Sequence, residues 1–182
     1  MAVVRRAGSA IGALGNPIVG GTALTYTWTM SFITPTSAST SSNRYSIYIG
    51  AGSNASGGAS RAAYDGFFLQ YCDNVNSGNW QLIEVSRNSV VKTTTSSVAP
   101  TFGAWNTLVI TYTGPTNTVT ATLSTSGGAP AVIASTTSSQ LASAGNYLFA
   151  NAFTMAMNWL GTVTQGMAID YASLVISGIS RT

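Results

Sequence analysis

From Ala23 onward, apolar and hydroxyl-bearing side chains alternate with a period of two. The run from Thr25 to Phe32 keeps this alternation without a fault. Tyr26, Trp28, Met30 and Phe32 fall on one side, and Thr25, Thr27, Thr29 and Ser31 on the other. Successive side chains of a strand point to opposite faces of its sheet. The run therefore predicts a strand that buries one side only, as the sheets of an antiparallel sandwich do.

Further strands follow at short intervals. Arg44 to Ile49 sets Tyr45, Ile47 and Ile49 on one face, and a Gly/Ser/Ala loop spans 50–60. Gly66 to Cys72 and Asn79 to Val85 read as a hairpin closed by 73–78. Val90 to Thr95 is a short β-branched strand. Trp105 to Thr113 points Leu108, Ile110 and Tyr112 inward, and Thr118 to Leu123 does the same with Val119, Ala121 and Leu123. Ala131 to Ala134, Tyr147 to Phe149, Phe153 to Met157 and Met167 to Ile176 complete the set, and Ser138 to Ala144 suits a single helical turn. Many short strands separated by turn signals predict an all-β fold, a sandwich or barrel, and the one-sided first strand points to an antiparallel β-sandwich. Residues 1–22 differ. Arg5 and Arg6 precede an apolar stretch broken by Gly8, Gly12, Gly15 and the pair Asn16-Pro17, which reads as an extended N-terminal arm and not as a signal peptide. The expected organisation is an arm over 1–22 and a sandwich domain over 23–182.

Composition changes what such a surface can do. The chain has 182 residues, enough for one domain with a real core. Only 6% of them are charged, seven Lys and Arg and four Asp and Glu, against roughly 25% in ordinary soluble proteins. A folded chain of this size exposes roughly 8,000 Å², so charge is spread thinly. Low charge removes the repulsion that keeps subunits apart, and points to a surface partly covered by neighbours. The net charge of +3 comes from scattered cations. No basic stripe suited to phosphates is present, so nucleic acid is not an expected partner. No apolar run is long enough to read as a membrane-spanning helix.

Histidine is absent, which excludes a Ser-His-Asp or Cys-His nucleophile. The single cysteine, Cys72, permits no intrachain disulfide and reads as a small strand hydrophobe. The acids Asp65, Asp73, Glu84 and Asp170 are too dispersed to place a glycosidase pair on one strand. The oxygen-rich loop from Asp73 to Asn79 suits either a Ca²⁺ ion or a self-satisfied hairpin loop, and its single carboxylate favours the loop. No catalytic, metal or cofactor site is expected. Aromatic rings are the better binding candidates, as faces for sugar rings or as subunit contacts. Trp80, Trp159, Tyr48 and Phe68 are the candidates, the last two because they lie opposite the main apolar sets of their strands. Trp28 and Trp105 are expected in the core.

Certain runs carry a resemblance. The stretches from Tyr64 to Tyr71, Asn79 to Leu82, Thr93 to Thr95, Trp105 to Ile110 and Ile169 to Val175 resemble the strands of concanavalin A-like jelly-roll domains, many of which occur in bacteriophage head and tail proteins. A family turn of Asn-Gly type is replaced here by Ser126-Gly127-Gly128. The resemblance covers roughly 23–177. It implies a non-enzymatic virion structural protein, foremost a capsid decoration protein, assembled in the host cytoplasm. Its expected partners are the major capsid protein or tail proteins and further copies of itself. Arg5, Arg6, Asn16 and Pro17 of the arm would provide the contacts. The rival reading is a carbohydrate-binding module of a phage tail or fibre that adsorbs to host surface glycans.

Overall fold

The alternation becomes two facing antiparallel sheets. The computed structural model describes residues 2–6, 18–40, 44–54, 64–87, 89–148, 153–160 and 166–178. Its strands are β1 (Ala2–Arg6), β2 (Ile18–Val19), β3 (Thr25–Ile33), β4 (Arg44–Asn54), β5 (Tyr64–Cys72), β6 (Gln81–Ser86) and β7 (Ser89–Thr95). They continue with β8 (Trp105–Thr113), β9 (Thr118–Thr125), β10 (Ala131–Thr137), β11 (Tyr147–Leu148), β12 (Phe153–Leu160) and β13 (Ala168–Ser177). One sheet runs β1-β12-β4-β5-β6-β7 and the other β10-β9-β8-β3-β13, while β11 pairs with β2. The architecture is the antiparallel β-sandwich expected from the sequence, and β8 matches the predicted strand at both ends.

The core forms where the two inner faces meet. Trp28, Met30 and Phe32 of β3 and Leu108, Ile110 and Tyr112 of β8 are buried against Ile47, Ile49, Phe67 and Leu69 of β4 and β5. Rings bridge the layers: Phe67 lies 6.3 Å from Trp28 and stacks on Tyr112 at 6.2 Å. Such aromatic pairs add to the burial energy of the rings themselves. Gly66, at φ 144°, lets β4 and β5 close up, since a Cβ there would stand 2.1 Å from the Ala51 carbonyl oxygen. Burial raises the phenols of Tyr26, Tyr45 and Tyr112 above their ordinary value; Tyr71 and Asp73 add to the rise at Tyr45, and Tyr26 and Glu84 to that at Tyr112.

Two expectations are revised. The helical turn over 138–144 is replaced by turns and bends. Its backbone donors are taken by side chains: Glu84 Oε2 and Oε1 accept the N–H groups of Ser139 and Gln140 at 2.6 and 2.9 Å, and Ser138 Oγ accepts that of Leu141 at 3.0 Å. Part of the segment read as an arm is woven into the body. Ala2–Arg6 pair with β12, which sets Arg5 opposite Thr154 and Arg6 opposite Phe153. Ile18 is buried in the main core. Asn16 and Pro17 lie outside the described residues.

Candidate functional site

Most of the aromatic candidates read from the sequence sit where no ligand reaches them. Trp80 is 0% exposed, packed edge-on to Tyr71, with its backbone N–H donated to the Val98 carbonyl at 2.8 Å. Tyr48 and Phe68 do face away from the main core, as the alternation requires, but they are 7% and 1% exposed. They join Ile83, Val85 and the partly buried Val90 in a second apolar cluster on the outer side of the six-stranded sheet. Gly52 makes room for it, since a Cβ there would lie 2.2 Å from the Phe68 ring. The expectation that these two rings line an open groove is corrected by this cluster. Trp159 stands opposite Tyr45 in the pairing of β12 with β4.

The polar candidates are committed to structure. Asp73 pairs with Arg44 at 3.2 Å, and Asn76 donates its amide to the carbonyls of Trp80 and Ser96. The loop thus spends its oxygens and amides on its own chain, and among the described residues no cluster of His, Cys, Asp or Glu suits a metal ion. Cys72 donates its thiol to Asn74 Oδ1. Glu84 accepts the Ser138 hydroxyl at 2.6 Å in addition to the N–H groups of Ser139 and Gln140. That carboxylate is a clasp between β6 and the loop after β10. A cavity beside it, lined by Phe67, Leu82, Lys92 and Val119 among others, measures about 10 Å³, the space of one water.

The accessible surface of interest is the outer face of the five-stranded sheet. The register lays out its side chains in rows. Ser177, Thr25, Thr113, Thr118 and Thr137 form one row across β13, β3, β8, β9 and β10. Val175, Thr27, Thr111, Thr120 and Ser135 form the next, then Ser173, Thr29, Val109, Thr122 and Val132. The fourth row holds Tyr171, Ser31, Thr107 and Ser124. None of these positions is charged, and none is buried. Thr120 and Ser135 hydroxyls meet across their strands at 2.9 Å.

Two rings stand at one end of this face. Trp105 opens β8 opposite Ile33 and is 44% exposed, which corrects its expected place in the core. Its parity explains why: Leu108, Ile110 and Tyr112 point inward, so position 105 points out. The backbone there is braced, with the Trp105 carbonyl accepting the Ser126 N–H at 2.8 Å. The adjacent Asn106 donates to the Ala104 carbonyl at 2.9 Å and accepts the Thr125 hydroxyl at 2.7 Å. Tyr171, 51% exposed, owes its direction to a bulge. Ile169 pairs with Phe32 and Tyr171 with Ser31, leaving Asp170 as the extra residue. An inserted residue re-aims the side chains beyond it, and here it turns Tyr171 outward.

Comparison with known proteins gives fold and no closer kinship. The sequence matches no family model and no curated relative. Among solved structures, the Lotus tetragonolobus seed lectin aligns with a TM-score of 0.53 at 12% identity, over 89% of this chain and 78% of the lectin. Peanut lectin, solved with a nine-residue peptide, aligns at 0.51 and 13% identity, over 99% of this chain and 79% of its own. Lectin UEA-II, solved with galactose, aligns at 0.52 and 12% identity, over 96% and 78%. The chain thus shares the β-sandwich fold of these lectins. At these identities the likeness is one of backbone architecture, and none of these three structures is a phage protein.

Proposed function

We propose that this chain is a non-catalytic carbohydrate-binding module whose working surface is the outer face of the five-stranded sheet. One observation carries the reading: Trp105 and Tyr171 stand exposed on the same uncharged, hydroxyl-bearing face. A sugar ring offers C–H groups to a π face and hydroxyls to hydroxyls, which is the chemistry that this surface presents. The lectin-like fold supports the reading, as does the galactose in one of the neighbouring structures. The strand motifs shared with bacteriophage jelly rolls favour a place in a virion, on a tail or fibre that touches host surface glycans. A glycan array probed with the purified chain and with Trp105→Ala tests it. We expect hits that the substitution removes; a blank array refutes glycan binding.

A second reading, a capsid decoration protein joined to the major capsid protein and to copies of itself, is favoured by the 6% charge content of the whole chain. Antibody labelling of intact particles separates the two. Label over the head surface supports decoration, and label at the tail tip supports adsorption.

A further inference from the structure

We infer that the ligand of this face is a neutral, extended polysaccharide that runs obliquely over β13, β3 and β8, with one sugar ring on Tyr171 and another on Trp105. The inference rests on the carbohydrate reading and names its substrate class. The two rings belong to strands separated by β3, so they stand about 10 Å apart across the sheet. Tyr171 registers with Ser31 and Trp105 with Ile33, one alternation further along, which adds about 7 Å in the strand direction. That separation is wider than a single sugar ring. One monosaccharide therefore cannot cover both aromatics, whereas a chain of several units can.

The floor between the rings suits such a chain. Ser31 and Thr107 offer hydroxyls that both donate and accept, and Ile33 supplies an apolar step beside Trp105. The rows of threonine and serine continue the same chemistry away from the aromatic end. Charge selects against an acidic polymer. Asp170, exposed in the bulge next to Tyr171, is an anion, and no cation occupies any row of the face. A protein partner fits less well. Binding hot spots are poor in Ser, Thr and Val, which are the residues that fill the rows, and interface cores are depleted in Ser.

The backbone that carries each ring is set before any ligand arrives, by the Ser126 hydrogen bond at the start of β8 and by the pairing of Tyr171 with Ser31 beyond the bulge. Rigid placement lowers the ordering cost of binding. No cation is needed for stacking or for hydroxyl contacts, so chelation should leave binding unchanged.

The test is calorimetric titration of the intact chain with neutral gluco-, manno- and galacto-oligosaccharides, from mono- to hexasaccharide, with oligogalacturonates as acidic comparators. We expect affinity for one neutral series to rise about tenfold or more once the oligomer spans both rings, and then to level off. Trp105→Ala and Tyr171→Ala should each erase that rise, with thermal unfolding unchanged because both side chains are exposed. A monosaccharide bound as tightly as the hexasaccharide overturns the extended ligand while leaving carbohydrate binding intact. Tighter binding of the acidic series, or loss of binding with EDTA, overturns the neutral, cation-free site. No binding of any sugar overturns the carbohydrate reading itself. Self-association of the chain that Trp105→Ala abolishes would assign the face to a second copy instead.

Discussion

The outer faces of the two sheets are built from the same alternating pattern and end in opposite conditions. On the six-stranded sheet, Tyr48, Phe68, Ile83 and Val85 are buried together, and the neighbouring Gln70 and Gln81 are buried with them. On the five-stranded sheet, the equivalent positions carry mostly threonine and serine, and none of those in the rows is buried. The lesson concerns strand composition. Where a strand is apolar on both sides, as in Phe67-Phe68-Leu69 or Leu82-Ile83, both faces are buried; where hydroxyls alternate strictly, one face is left for water or a ligand.

Breaking the closed face should have the largest effect. Phe68→Ala removes a buried ring and is expected to cost about 3–5 kcal/mol, read from urea or guanidinium denaturation. An unchanged midpoint would mean that the second cluster contributes little. Next comes the clasp that ties β6 to the loop after β10. Glu84→Ala leaves the Ser138 hydroxyl and two N–H groups without their acceptor, with an expected loss of about 1–3 kcal/mol. Faster hydrogen exchange at the Ser139 and Gln140 amides would localise it.

The interior between the faces should respond to alkali. Burial raises the phenols of Tyr45, Tyr26 and Tyr112 in the folded chain, while in the unfolded chain they titrate near the usual value of about 10. Below that value both states are protonated and the stabilisation is fully present. As pH rises from there toward the folded values, the unfolded state has released protons that the folded state keeps, and stability falls. Thermal melts at rising pH, followed with tyrosinate absorbance, check the sign: the midpoint should fall above about pH 10, with a step in phenolate signal at the unfolding transition as the three buried phenols are released. The smallest effect belongs to the open face. Thr27→Ala, on the hydroxyl rows, should change stability by no more than about 0.5 kcal/mol in the same denaturation assay. A change as large as that of Phe68→Ala would erase the contrast between the two faces.

Much of this is readable in the chain, and the misses have physical causes. The inward sets of β3, β8 and β9 come directly from alternation. Trp105 is legible by the same parity, but its size argues for burial and parity argues against it; the structure sides with parity. Tyr171 is harder, because Ile169 points inward and so do Ala172 and Leu174. The odd-to-even slip between them is the only mark of the bulge. Alternation puts Tyr48 and Phe68 on the correct side and misleads only about their exposure, since it says which way a residue points and not what covers it. Trp80 precedes its strand, outside the reach of any periodicity. The pairing of β1 with β12 joins distant parts of the chain, and no local pattern announces it.

That last pairing bears on how the molecule comes to exist. Ala2 meets Met157 and Arg6 meets Phe153, so β1 leaves the ribosome long before its partner and waits for β12. Closure of distant segments carries the entropic cost that slows β-rich chains. Until β12 emerges, β1 has no mate and the β4 edge stands open, which makes a nascent chain halted before Phe153 the form most exposed to wrong pairing between copies.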